Sequence, residues 1–133
     1  MELPMKHWDA FALGTRGVLA AVWLYNGLWL KILSVDPHHA RIVASTLGHP
    51  AWLTAIGAGE TLLALGILSG RASRWVNGFQ LILLAVMNAV GILCSGQIEK
   101  PAGLVISNLP LATCAVALLV FGPGRWAFPA RRK

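Results

Sequence analysis

Only five of the 133 residues are acidic, and one of them, Glu60, sits in the middle of an otherwise apolar run, AWLTAIGAGETLLALGILS. A carboxylate at the centre of a bilayer costs at least about 2.5 kcal/mol on insertion scales, so Glu60 is expected to face other protein. With no cation beside it, such a carboxyl is expected to be protonated at neutral pH or hydrogen-bonded to several donors. Its neighbours Gly57, Gly59, Thr61 and Ala64 are small, which lets a second helix approach closely. Two uses of this carboxyl stay open: interhelical hydrogen bonding, and ligand or proton chemistry.

Other polar residues fall at comparable depths. At 100° per residue, Asn77, Gln80, Leu84, Asn88, Gly91 and Ser95 occupy an arc of roughly 80°, a stripe that must face protein or a cavity. Carboxamides of this kind serve equally as interhelical glue or as ligand contacts. With a rise of about 1.5 Å per residue, Tyr25, Asn26, Glu60 and Asn88 could all meet near the midplane. Asn108 lies slightly outward, just before Pro110, whose missing N–H releases the carbonyl of Ile106. The expected pocket opens toward the outer leaflet, walled by Trp23, Leu28 and Leu111, with Lys31 and Trp29 at its mouth. Lys31 is expected to snorkel to the interface.

The remaining inventory excludes much. Cys94 and Cys114 differ in depth by roughly 15 Å, too far to pair as a disulfide, and neither belongs to a CxxC motif. No histidine falls inside an apolar segment, so intramembrane haem ligation by paired histidines is not expected. His38, His39 and His49 gather with Asp36 in one loop, where adjacent histidines point apart on a helix, and they read as interfacial residues rather than a metal set. No phosphate-binding glycine loop, GxSxG or HExxH is present.

The elements that must position these groups follow from composition. The chain is 56% hydrophobic and 12% charged, about half the charge of a water-soluble domain, and its mean hydropathy is +0.66. Four segments approach the roughly 20 residues needed to cross a bilayer: about 15–33, 51–69, 75–95 and 102–122. Asp9 and Arg16 interrupt the N-terminus, so the first segment reads as a span and not as a cleaved signal peptide. Residues 34–50 hold a short amphipathic helix, with Asp36 as its cap, Pro37 at its first position, Ile42, Val43 and Leu47 on one face, and Gly48 closing it. Of the eleven Lys and Arg residues, eight lie on the side of the two termini and three, Lys31, Arg41 and Lys100, on the other, which predicts cytoplasmic termini. The same bias accounts for the net charge of +6, and with basic residues scattered rather than clustered it does not indicate nucleic acid.

Together these residues resemble the DoxX-like family of small four-helix integral membrane proteins. The resemblance rests on Trp23, Tyr25, Gly27, Leu28 and Lys31 in VWLYNGLWLKIL, on Gly57 and Glu60, and on Asn108-Leu109-Pro110-Leu111. It spans about residues 16–121, and departs at Ser107, where a basic residue would be expected before the Asn. It implies quinone proximity, since relatives of this kind resemble subunits of a membrane thiosulfate:quinone oxidoreductase. The expected architecture is a single all-α domain, an antiparallel four-helix transmembrane bundle with a short interfacial helix in the first outer loop, in the bacterial cytoplasmic membrane. Its candidate ligand-binding residues are Glu60, Tyr25, Asn26, Asn88, Asn108, Lys31 and Gln80, and its candidate ligand is a quinone or another small lipophile. The bilayer is the expected partner, with a larger membrane complex or a second copy as further candidates and no nucleic acid. The alternative is an accessory subunit of a membrane redox complex with no ligand of its own; no catalytic set is visible.

Overall fold

Long runs of Leu, Ala, Val and Ile broken by single glycines favour helix, and the punctuation between them is sharp. The computed structural model describes residues 5–127, and every regular element among them is helical. Helix α1 covers Met5–Leu24 and continues without a break into a π-helical segment, Tyr25–Leu33. Helix α2 covers Pro37–Leu47, α3 Trp52–Ser69, α4 Ser73–Cys94 and α5 Pro101–Phe121. The side chain of Asp36 caps α2 by accepting from the His39 N–H, and Pro37 opens its first turn. Gly48 and Gly70, with φ of 80° and 68°, end α2 and α3 in the left-handed conformation that glycine adopts without a steric penalty.

Helices α1, α3, α4 and α5 share one apolar core. Leu19, Ala20 and Trp23 of α1 meet Leu63, Ala64 and Ile67 of α3, Leu84 of α4 and Leu118 of α5. The outer faces are apolar too: Leu62, Ile82, Leu93, Ile106 and Val120 are all exposed. By contrast Asp9, Arg16, Lys31, Glu60, Asn77 and Gln80 are buried. Charge inside and hydrocarbon outside is the distribution of a membrane protein.

Helices α3, α4 and α5 are each long and apolar enough to cross a membrane. The first helical stretch reaches that standard only together with α2, to which it is joined by an 85° bend. The sequence expectation placed a span at 15–33; the helix begins well before it, at Met5, and carries Asp9, Arg16 and Lys31 on its protein-facing side. Of the eight basic residues assigned to one side of the membrane, Arg131, Arg132 and Lys133 lie outside the described residues.

One end of the molecule is tied by polar side chains. Arg16 donates through Nε to the carbonyl of Ile67 at 3.1 Å, through Nη2 to that of Leu68, and through Nη1 to that of Pro123 at 3.3 Å. It thereby satisfies carbonyls at the C-terminal turn of α3, which have no partner within the helix. Nearby, Asp9 Oδ1 accepts from the backbone N–H of Arg125 at 2.8 Å, and Asp9 Oδ2 lies 3.1 Å from the Arg125 guanidinium.

Candidate functional site

Two glycines allow the central contact. A Cβ added at Gly27 would lie 2.7 Å from the Glu60 Cβ and 2.8 Å from the Gly57 carbonyl oxygen. One added at Gly57 would lie 2.6 Å from the Gly27 carbonyl oxygen and 2.9 Å from the Lys31 Cβ. The π-helical segment and α3 therefore touch backbone to backbone, the small-residue packing expected between helices in a membrane. Lys31 and Glu60 project from this contact toward each other.

Lys31 Nζ lies 2.7 Å from Glu60 Oε2, with the two side chains 3% and 1% exposed. The ammonium also donates to the backbone carbonyl of Asn26 at 3.3 Å. Glu60 Oε1 is buried and has no hydrogen-bond partner. The sequence expectation had Lys31 snorkelling outward and Glu60 without a cation; instead Lys31 turns inward and supplies that cation. The burial pattern shows which way the segment faces: Trp23, Gly27 and Lys31, four apart, are buried on one face, as residues at that spacing share one side of a helix.

Beside the pair is a cavity of about 440 Å³. All five helices contribute to its wall, mostly with aliphatic side chains such as Val22, Ile42, Ile56, Leu84 and Leu111. Its polar lining includes Asn26, Lys31, Glu60, Asn88 and Asn108. Asn108 Nδ2 donates to Asn88 Oδ1 at 2.8 Å, joining α5 to α4 across the cavity. The apolar face of α2, with Ile42, Val43 and Leu47, closes one side of the cavity.

Two expected site residues lie elsewhere. Tyr25 is 57% exposed on the outer surface and does not line the cavity. It shares the depth of Glu60 but stands two residues from both Trp23 and Gly27, which puts it on the opposite side of the helix. Leu28 and Trp29 are likewise exposed. Gln80 is fully buried but outside the cavity lining. Its Oε1 accepts from Trp23 Nε1 at 2.5 Å and its Nε2 donates to Asn77 Oδ1 at 3.2 Å. Asn77 Nδ2 in turn donates to the carbonyl of Ser73 at 2.8 Å. This chain of bonds satisfies polar atoms between helices, the glue role for carboxamides.

His39 joins the cavity wall although sequence reasoning left it among the interfacial residues. Its Nδ1 lies 2.8 Å from Asp36 Oδ2. The signal was readable in DPHH, since an N-cap Asp and the residue three positions on share the first turn of a helix. Among the described residues no three His, Cys, Asp or Glu side chains gather as a metal set.

A model of the DoxX-like family matches residues 20–120, a stretch that includes Trp23, Lys31, Glu60, Asn88 and Asn108. No curated protein and no solved structure matches the chain.

Proposed function

The chain belongs to the DoxX-like family, and from that premise we propose that it is an integral protein of the bacterial cytoplasmic membrane that holds a small lipophilic ligand of the quinone class in a redox-associated role. In this reading α1 with its π-helical end, α3, α4 and α5 stand antiparallel across the bilayer, and α2 lies along the outer interface over the cavity. The observation that carries the reading is the cavity itself: about 440 Å³, apolar-walled, with the Lys31–Glu60 pair and the Asn88–Asn108 bridge among its few polar groups. Ligand sites usually occupy about 300–1,000 Å³ and place a small number of polar groups in an apolar wall. An ionisable pair that the membrane would otherwise exclude is by default a functional feature.

The test is binding of a short-chain quinone analogue to the purified full-length protein, read by quenching of tryptophan fluorescence, since Trp23 lines the cavity. Glu60→Gln is expected to change the affinity severalfold, because it replaces a carboxylate, which only accepts, with an amide that can also donate to a quinone carbonyl. Leu111→Trp, which fills the cavity, is expected to abolish it. Tyr25→Phe, on the outer face, is expected to bind as wild type does. Equal affinity in all four proteins would overturn the assignment of the site. Absence of binding, with stable co-purification of a larger redox partner in mild detergent, would favour the accessory-subunit role instead.

A further inference from the structure

The hydrogen-bond inventory of the cavity says which chemical form of such a ligand it suits, a step that rests on the reading just given. Several donors in the wall are already engaged. Trp23 Nε1 donates to Gln80, one of the two Asn26 Nδ2 hydrogens to the carbonyl of Val22 at 2.9 Å, and Thr46 Oγ1 to the carbonyl of Ile42 at 2.7 Å. Lys31 has spent two of its three N–H groups, on Glu60 Oε2 and on the Asn26 carbonyl. Asn26, Asn88 and Asn108 do not discriminate, since each amide can still both donate and accept once the bonds to Val22 and between Asn88 and Asn108 are made.

Acceptors are left over. Among the polar side-chain atoms of the cavity wall, the buried one without any partner is Glu60 Oε1. A carboxylate only accepts, and a buried acceptor left unmatched carries an unrepaid desolvation penalty. The second acceptor comes from α2. Asp36 Oδ2 lies 2.8 Å from His39 Nδ1; this contact fixes Nδ1 as the donor, and in the uncharged ring Nε2 is then the acceptor. Asp36 is itself fixed, because the same oxygen accepts the His39 backbone N–H at 3.0 Å as the cap of α2. His39 and Glu60 thus contribute to one cavity from two different helices.

We infer that the cavity takes a lipophilic hydroxyl compound, a phenol or hydroquinone, in preference to the corresponding ether or quinone, and that Glu60 and the Asp36-held His39 are the acceptors of its hydroxyl groups. The one free N–H of Lys31 leaves room for an oxygen acceptor on the same ligand, so the preference is one of degree set by the charged acceptor.

A redox-inert pair of probes isolates the donor. Para-nonylphenol and its methyl ether differ by the hydroxyl hydrogen and one methyl group; a decyl-benzoquinone is the third probe. With full-length protein in detergent, the phenol is expected to bind about tenfold more tightly than either other compound, the increment of one hydrogen bond to a charged group. His39→Ala and Glu60→Gln are each expected to reduce that ratio severalfold. His39 lies outside the buried ion pair, so His39→Ala decides the matter if Glu60→Gln does not fold. Equal binding of phenol and ether, tighter binding of the quinone, or a ratio unchanged in the folded variants would overturn the inference while leaving a ligand-binding cavity. If none of the three compounds binds, the ligand-binding reading falls with it.

Discussion

Lys31 and Glu60 face each other in a place where neither could stand alone. Removing one partner of a buried pair leaves an uncompensated charge and typically costs about 3–5 kcal/mol, whereas replacing both with apolar groups is often neutral or stabilising. Lys31→Met and Glu60→Leu are each expected to lower unfolding stability in detergent by that order, and the double variant is expected to recover most of the loss. Single variants as stable as wild type in thermal unfolding would refute the pairing. Asp36 is the other residue with a defined electrostatic position. The His39 N–H, and then the His39 ring, hold its carboxyl below the usual carboxylate value of 3.8. Because the folded value is the lower one, the contribution of Asp36 to α2 is complete above the unfolded value and is lost as pH falls through the folded one. Hydrogen exchange of the first amides of α2 is therefore expected to accelerate in that acid window, and to be fast and independent of pH-linked capping in Asp36→Ala. Glu60 was legible in the sequence because an acid in an apolar run stands out against its background. Its partner was not, because Lys31 sits near the end of its segment, where a snorkelling lysine has the same sequence signature.

The elements meet by contact of glycine with glycine. Gly27→Ala and Gly57→Ala each place a methyl group within 3 Å of backbone, and overpacking of this kind costs about 1–3 kcal/mol. Both are expected to push the π-helical segment off α3 and to weaken the Lys31–Glu60 pair, read as a drop in thermal midpoint. Gly59→Ala meets nothing within 4 Å and is expected to be neutral, or stabilising by about 0.4–1 kcal/mol. Similar losses at Gly57 and Gly59 would show that the close approach does not set the effect. The extents of α2 to α5 were readable from caps, prolines and glycines, which act locally. The α4 stripe was readable too: Asn77, Gln80, Leu84, Gly91 and Ser95 are buried, and Asn88 is half-buried at the cavity. The π-helical winding was not, since no residue of YNGLWLKIL announces i to i+5 bonding. Depth estimates grouped Tyr25 with Glu60, although Tyr25 points to the outer surface and Glu60 to the cavity.

At the scale of the whole molecule the described residues divide into a tied end and a cavity end. Arg16 and Asp9 bind α1, the C-terminus of α3 and the segment after α5 together, while the cavity lies toward the N-terminal half of α3 and beneath α2. The charge bias predicts that the tied end faces the cytoplasm. A fluorescent protein fused at the C-terminus is expected to fluoresce, and a cysteine at Ser45 to react with a membrane-impermeant maleimide added from outside. The opposite pattern would invert the orientation. The expected sidedness rests on counting lysines and arginines, not on placing them; the tied end was not legible, because it needs three segments far apart in sequence to converge on one guanidinium. Within Tyr25–Leu33, apart from Gly27 and Lys31 themselves, the number of residues matters more than their kind. Substitutions at the exposed Leu28 or Trp29 would leave the ammonium where it is, but deleting a single residue between Gly27 and Lys31 would swing it out of reach of Glu60, so the positions between the two can vary in composition but not in number.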